Sequence, residues 1–195
     1  MFAGHDTVSS ATTFALYLIG RHPEVQHKLH EELNQVFGSD RDRPVTPDDI
    51  QRLEYLSCVV KESLRLLPSA PLLGREIEED VNMCGTTIPK GTTVFIGIFW
   101  LHRDPKQFPD PEKFDPDRFL SHNMKGRHNF AFIPFSAGHR NCIGQKFALM
   151  EEKVILATIL RKLNVTSLQS ISELGLTYEL VLRSTEGIKV KLSIR

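Results

Sequence analysis

The chain has 195 residues, 41% of them hydrophobic and 25% charged, enough for one domain that buries about 70% of its unfolded surface. Lysine plus arginine and aspartate plus glutamate both number 24, so no electrostatic footprint for nucleic acid or an anionic membrane surface is present. Three widely spaced cysteines, Cys58, Cys84 and Cys142, contain no C-x-x-C pair, which argues against a disulfide framework or a four-cysteine zinc site and fits a reducing compartment or a cytosolic face. The longest apolar run, TVFIGIFWL at 93 to 101, falls short of the ~18 residues a membrane span needs, and the N-terminus lacks the pattern of a signal peptide.

In chain order, Phe2 to Ile19 is helix-compatible although rich in serine and threonine, and it halts at Gly20-Arg21-His22-Pro23, where Pro23 can open a second helix. Val25, Leu29, Leu33 and Val36 keep helical period up to a stop at Gly38. After a charged loop at 39 to 45, Thr46-Pro47-Asp48-Asp49 supplies an N-cap, a proline at the first helical position and acids in the first turn, predicting a short helix. The next helix, 54 to 67, has its apolar side at Leu56, Val59, Val60, Leu64 and Leu67 and ends before Pro68, with Glu62 and Arg65 pointing away from that stripe.

Between 75 and 100 the pattern becomes short extended pieces, with turns at Cys84-Gly85 and Pro89-Lys90-Gly91 and a strand from Thr93 to Ile96. Residues 104 to 134 hold five of the 11 prolines and read as an ordered meander. Ile143, Phe147, Met150, Val154 and Ala157 share one helical stripe, predicting a long helix directly after Cys142. Ile188, Val190, Leu192 and Ile194 alternate with Lys189, Lys191 and Ser193, predicting a terminal hairpin that turns near Glu186-Gly187. The expected fold class is mainly α with small β-sheets.

The stretch FSAGHRNCIG, 135 to 144, places Cys142 at the start of that long helix. Unpaired N–H groups and the positive end of a helix dipole favour a thiolate, the form that binds metals or attacks electrophiles. Gly138 and Gly144 let backbone approach something flat and large, Arg140 can neutralise a carboxylate on it, and Phe135 can cover the sulfur. A buried, inert thiol is the plain alternative. Glu62 and Arg65, three apart on one helix face, read from the residues alone as a solvated pair worth about 0.2 to 0.5 kcal/mol. Asp6 and Thr7 read as helix-start caps. His122, His128, His139 and Cys142 raise a structural zinc site. Lys125, Arg127, His128 and Lys146 form either a basic strip for an acidic electron donor or an ordinary solvated face.

FSAGHRNCIG resembles the heme-binding loop of the cytochrome P-450 superfamily, F-x-x-G-x-R-x-C-x-G, at Phe135, Gly138, Arg140, Cys142 and Gly144. Three further signatures follow in the family's order: Ala3-Gly4-His5-Asp6-Thr7 is similar to the distal acid-alcohol motif, Glu62-Ser63-Leu64-Arg65 to E-x-x-R, and Pro116-Asp117-Arg118-Phe119 to P-x-R-F. GHDT together with RNCIGQKFA looks most like the fourth family of animal enzymes, which often hydroxylate fatty acids near the chain end.

The resemblance implies that Cys142 is the axial thiolate of a b-type heme, pushing electron density onto iron and favouring O–O cleavage, with Arg140 and secondarily Arg75 on the heme propionates. It implies a buried Glu62–Arg65–Arg118 network, and a Thr7 hydroxyl that holds water and protons beside iron-bound oxygen with Asp6 linked to the relay. By family position Ala3, Leu72, Leu73 and the turn of the C-terminal hairpin line the substrate pocket. Ala3 stands where some relatives carry a heme-esterifying glutamate, so the heme is non-covalent apart from the thiolate; Val8 replaces a common threonine and His139 a common proline.

The implied activity is insertion of one oxygen atom from O2 into a C–H bond of a lipophilic substrate. Electrons come from NADPH through cytochrome P-450 reductase, with cytochrome b5 as a further donor, because no G-x-G-x-x-G follows a strand here. Residues 1–195 read as a single partial domain, the C-terminal part of the cytochrome P-450 fold. Its full-length form is expected on the cytosolic face of the endoplasmic reticulum, held by an N-terminal anchor. A non-catalytic interaction module and the zinc domain stand as alternatives.

Overall fold

The computed structural model describes residues 2–195, with side chains from Gly4 onward. Four helices build the core: α1 (Phe2–Arg21), α2 (Pro23–Phe37), α4 (Glu54–Leu66) and α6 (Gln145–Leu160), with the short α3 (Pro47–Arg52) between α2 and α4 and the one-turn α5 (Ile98–Leu101) before the meander. Phe14, Ala15 and Ile19 of α1, Leu29 and Leu33 of α2, Leu56 and Val59 of α4, and Leu156, Ala157 and Leu160 of α6 are buried together where these helices meet. The apolar stripe predicted for α4 is buried along its whole length.

Local chemistry sets the helix ends. Pro23 begins α2, and Gly38 closes it with a positive φ of 62°, a conformation that costs glycine little. Thr46 and Asp49 form a reciprocal capping box on α3. Leu53, the residue before α4, has no capping side chain. Glu32 of α2 serves instead, its two carboxylate oxygens accepting from the Tyr55 and Leu56 amides. Burial raises the Glu32 carboxyl, and those two hydrogen bonds oppose the rise.

Among the described residues, eight short strands pair as four antiparallel two-stranded sheets. β1 (Leu72–Glu76) pairs with β4 (Thr93–Gly97), and β2 (Val81–Met83) with β3 (Thr86–Ile88). β5 (Leu163–Ser167) pairs with β8 (Val190–Ile194), and β6 (Leu176–Tyr178) with β7 (Leu182–Ser184). The expected terminal hairpin is therefore corrected: the alternating strand exists as β8, but its partner is β5, in register Val165↔Leu192. Alternation specifies a strand and its inward face, and does not specify which strand lies beside it. Gly20 lets α1 lie against β5, because a Cβ there would meet Ser167 Oγ at 2.6 Å and Ser167 N at 2.8 Å.

The long helix begins at Gln145, three residues after Cys142. Its buried residues are Glu152, Leu156, Ala157 and Leu160, whereas Ile143, Phe147 and Met150 of the predicted stripe are exposed. Residues 102–134 contain only isolated turns and two 3₁₀ segments, Pro116–Phe119 and Ser121–Asn123. Among the described residues no helix is long and apolar enough to cross a membrane.

Candidate functional site

The loop from Phe132 to Gly144 folds back on itself. The Ser136 amide donates to Ile133 O at 3.0 Å and the Cys142 amide to Phe135 O at 2.9 Å. Ser136 and Gly138 both take positive φ, 64° and 77°; the first is an uncommon conformation for a residue with a side chain. A 3₁₀ turn over Gly138–Arg140 then delivers Cys142 to the head of α6 with its side chain exposed. Gly144 flanks the sulfur: a Cβ there would stand 3.8 Å from Cys142 Sγ. The Phe135 ring packs against the helical core. Beside the thiol, Ile143 is fully exposed, Phe147 is 64% exposed and Met150 42%, an uncovered apolar strip on a helix whose other side is core.

Two guanidinium groups belong to this end of the molecule. Arg140 is exposed. Arg75, from β1, donates from Nη2 to Ser136 Oγ at 3.0 Å and from Nη1 to Gly74 O at 2.7 Å, so the sheet residue and the loop are joined.

Behind the loop lies the ion pair. Arg65 and Glu62 are both wholly buried and joined by two parallel bonds of 2.7 and 2.8 Å, which excludes the solvated-pair reading. The remaining Arg65 donors reach three meander carbonyls, His102 O at 3.0 Å, Pro111 O at 2.7 Å and Lys113 O at 3.1 Å. Glu62 also accepts from the Asp115 amide at 2.9 Å and lies 3.5 Å from Arg118 Nε. Desolvation raises the Glu62 carboxyl, opposed by the Arg65 hydrogen bonds and charge. A segment with almost no regular structure thus obtains partners for four of its backbone groups from one buried ion pair.

Asp6 and Thr7 lie in the first turns of α1. Thr7 O accepts from Ser69 Oγ at 2.9 Å, and Asp6 Oδ2 accepts from Arg183 Nη2 of β7 at 2.8 Å. Beside that pair an open cavity of about 230 Å³ is lined by Asp6, Ser9, Ser10, Thr13, Arg183 and Ile188, so the segment after the proposed turn at 186–187 does face α1. Leu72 is exposed and Leu73 half-buried on β1; the Ala3 side chain lies outside the described residues. Arg183, His102 and Glu152 went unremarked in the sequence. Each has only long-range partners or burial to mark it, and no local spacing.

Two alternative readings lose support. No group of three or more His, Cys, Asp or Glu side chains able to hold a metal ion forms among the described residues, so His122, His128, His139 and Cys142 do not converge on one site. Arg127 turns inward onto the rings of Phe108 and Phe119, at 4.5 and 5.1 Å, and bonds Arg118 O. It therefore leaves the proposed basic strip.

A small helical core and paired short strands thus present an exposed cysteine just before a helix, from a glycine-bearing loop. The family model described as Cytochrome P450 matches residues 1–192. Cytochrome P450 4V2 of Rattus norvegicus is 54% identical over 195 residues, and the human protein of that name is 53% identical. Cytochrome P450 4c3 of Drosophila melanogaster is 49% identical, again over the whole chain. The chain belongs to the cytochrome P450 family, and it spans 36 to 37% of the length of these curated relatives.

The residues present fit the family's heme. The exposed Cys142 thiol, the uncovered Ile143 and Phe147 beside it, and the guanidinium of Arg140 together match a flat apolar disc with a ligand-seeking iron and acidic edges.

Proposed function

We propose that this chain is the cysteine-bearing part of a heme-thiolate monooxygenase, residues 1–195 forming a single partial cytochrome P450 domain. The observation that carries the reading is the exposed Cys142 at the head of α6 in a loop closed by its own amide on Phe135 O. When bound, the heme supplies iron-centred activation of dioxygen. The protein's tasks are then separable. Cys142 ligates the iron through its thiolate, with Gly138 and Gly144 keeping the loop low around it and Phe135 anchoring it to the core. Arg140 and Arg75 neutralise the propionates. Glu62, Arg65 and Arg118 hold the meander behind the loop.

On the distal side, the Thr7 hydroxyl would hold a water and pass on a proton at that oxygen, with Asp6, paired with Arg183, linked to the relay. The Asp6–Arg183 pair and the adjoining cavity support this assignment. The substrate class is a lipophilic C–H compound, a fatty acid above all, with Leu72 and Leu73 among the contacts; the support is the resemblance of GHDT and RNCIGQKFA to fourth-family enzymes. NADPH-cytochrome P450 reductase and cytochrome b5 are the proposed donors, and the endoplasmic reticulum membrane the proposed location of the whole protein.

The test is an absorption spectrum of the chain mixed with hemin, reduced and exposed to carbon monoxide, beside Cys142→Ser. A red-shifted cysteinate Soret band that the serine variant loses is the expected result. Its absence from both would refute the claim that these residues alone form the ligand site.

A further inference from the structure

His102 stands between the ion pair and the cysteine loop. It ends α5, is wholly buried, and belongs to no motif used above. Its carbonyl accepts from Arg65 Nη1 at 3.0 Å, while its ring nitrogen Nε2 lies 3.0 Å from the Ile133 amide. A backbone N–H can only donate, so Nε2 must offer a lone pair and the ring must be neutral with its proton on Nδ1. Nδ1 makes no hydrogen bond among the described residues. The ring also packs on Phe132, centroids 5.0 Å apart.

From Ile133 the connections run on. Ile133 O accepts from the Ser136 amide, and Phe135 O from the Cys142 amide. One unbroken series therefore joins Glu62 and Arg65, through both ends of His102, to the backbone of the proposed iron ligand. We propose that His102 is a positioning residue for the cysteine loop, holding the Ile133 amide through neutral Nε2 so that the Glu62–Arg65 pair sets where Cys142 is presented.

The environment agrees. Burial first, and then the Arg65 and Arg103 charges, push the imidazole down to about 3, so it stays neutral throughout the physiological range. The charged groups facing the ring are Arg65 from α4 and Arg103 from the turn after α5, both repelling a second proton. The energetic reason is the same as for any buried donor: an Ile133 amide without an acceptor bears its desolvation cost unrelieved.

The proposal rests on the reading of Cys142 given above, and the experiment separates the two. His102→Phe keeps a ring against Phe132 and deletes the acceptor; His102→Gln places a carbonyl oxygen near the Nε2 position. In the full-length protein containing this chain, the Phe variant should exchange the Ile133 amide at least tenfold faster. It should also convert a large share of the reduced carbon monoxide adduct from the cysteinate Soret band to that of a neutral ligand. Gln should restore both. A general loss of packing would lower heme content without redistributing the bands and without rescue by Gln. Phe behaving as His, or Gln failing like Phe, overturns the proposal. If the Phe variant does not fold, the nitrogen-15 shifts of His102 in the unmodified protein decide: Nε2 unprotonated is expected, and an Nε2–H tautomer is fatal. Should the unmodified protein lack a cysteinate band, the Cys142 reading fails alone, because exchange and tautomer still report on His102.

Discussion

Glu152 gives the sharpest prediction about stability. It lies on the buried side of α6 at 2% exposure, its Oε1 has no hydrogen-bond partner among the described residues, and burial alone pushes its carboxyl up to about 8. The folded protein therefore keeps a proton that the unfolded chain, with its ordinary glutamate near 4.5, has released. Between those two values the native state binds more protons, so its stability falls as pH rises, by about 1.4 kcal/mol per unit for one group. At neutral pH the carboxyl costs about 3 kcal/mol relative to a side chain that never ionises, and the cost levels off once the folded carboxyl has itself ionised. Glu152→Gln keeps the volume and cannot ionise. Urea unfolding of both proteins from about pH 5 to pH 8 should show a Gln advantage below about 1 kcal/mol at the acid end that grows by several kcal/mol at the alkaline end. His30, lowered to about 4, and His102, lowered to about 3, act in the opposite sense at acid pH, but both proteins share them and they cancel in the difference. A difference that does not change with pH would refute the reasoning, since it would mean that Glu152 ionises freely in the fold.

Removing one member of the wholly buried Glu62–Arg65 pair strands the other, so Arg65→Leu should cost about 3 to 5 kcal/mol in chemical denaturation and speed hydrogen exchange of the meander amides as a group. Glu32→Ala uncovers the first amides of α4 and should cost about 1 to 2 kcal/mol, read by thermal unfolding, while Glu32→Gln retains part of that. A Cβ at Gly97 would come 2.6 Å from the ring of Trp100, the sole tryptophan. Gly97→Ala should therefore turn that ring off Tyr178, on which it stacks at 5.9 Å, changing the fluorescence and costing about 0.5 to 1.5 kcal/mol.

The sequence was most informative where a short-range rule has one outcome. Pro23, Gly38 and the Thr46–Asp49 box mark helix ends, and Leu56, Val59, Val60 and Leu64 mark a buried face, because neighbours three and four apart on a helix share an environment. The cysteine loop was legible for a different reason: its glycines and charges are local in sequence. Partners far along the chain were not legible. Nothing in Val190 to Ile194 distinguishes β5 from β7 as a neighbour, and nothing near Asp6 foretells Arg183, 177 residues on. The Ile143, Phe147 and Met150 stripe misleads in the other direction, since periodic apolar residues have the same spacing whether they meet core or lie open. Glu152, one helical turn before Leu156, sits at a buried position that hydropathy assigns to the surface.

The four sheets have a consequence beyond the site. Each strand bonds one neighbouring strand only, so among the described residues every sheet has two edge rows of amides and carbonyls, interrupted where Gln26 bonds both backbone groups of Val165 and where the Leu182 amide donates to Ser69 O. Such rows are templates on which a second chain can extend a sheet, the first event in aggregation. Brevity is the protection here: the strands run three to five residues. Arg75 and Glu76 on β1, Arg183 on β7 and Lys191 on β8 set charge along rows that would otherwise match an incoming copy. Neutralising Lys191 beside the exposed Leu192 and Ile194 would leave all five residues of β8 without charge and open that edge to self-association.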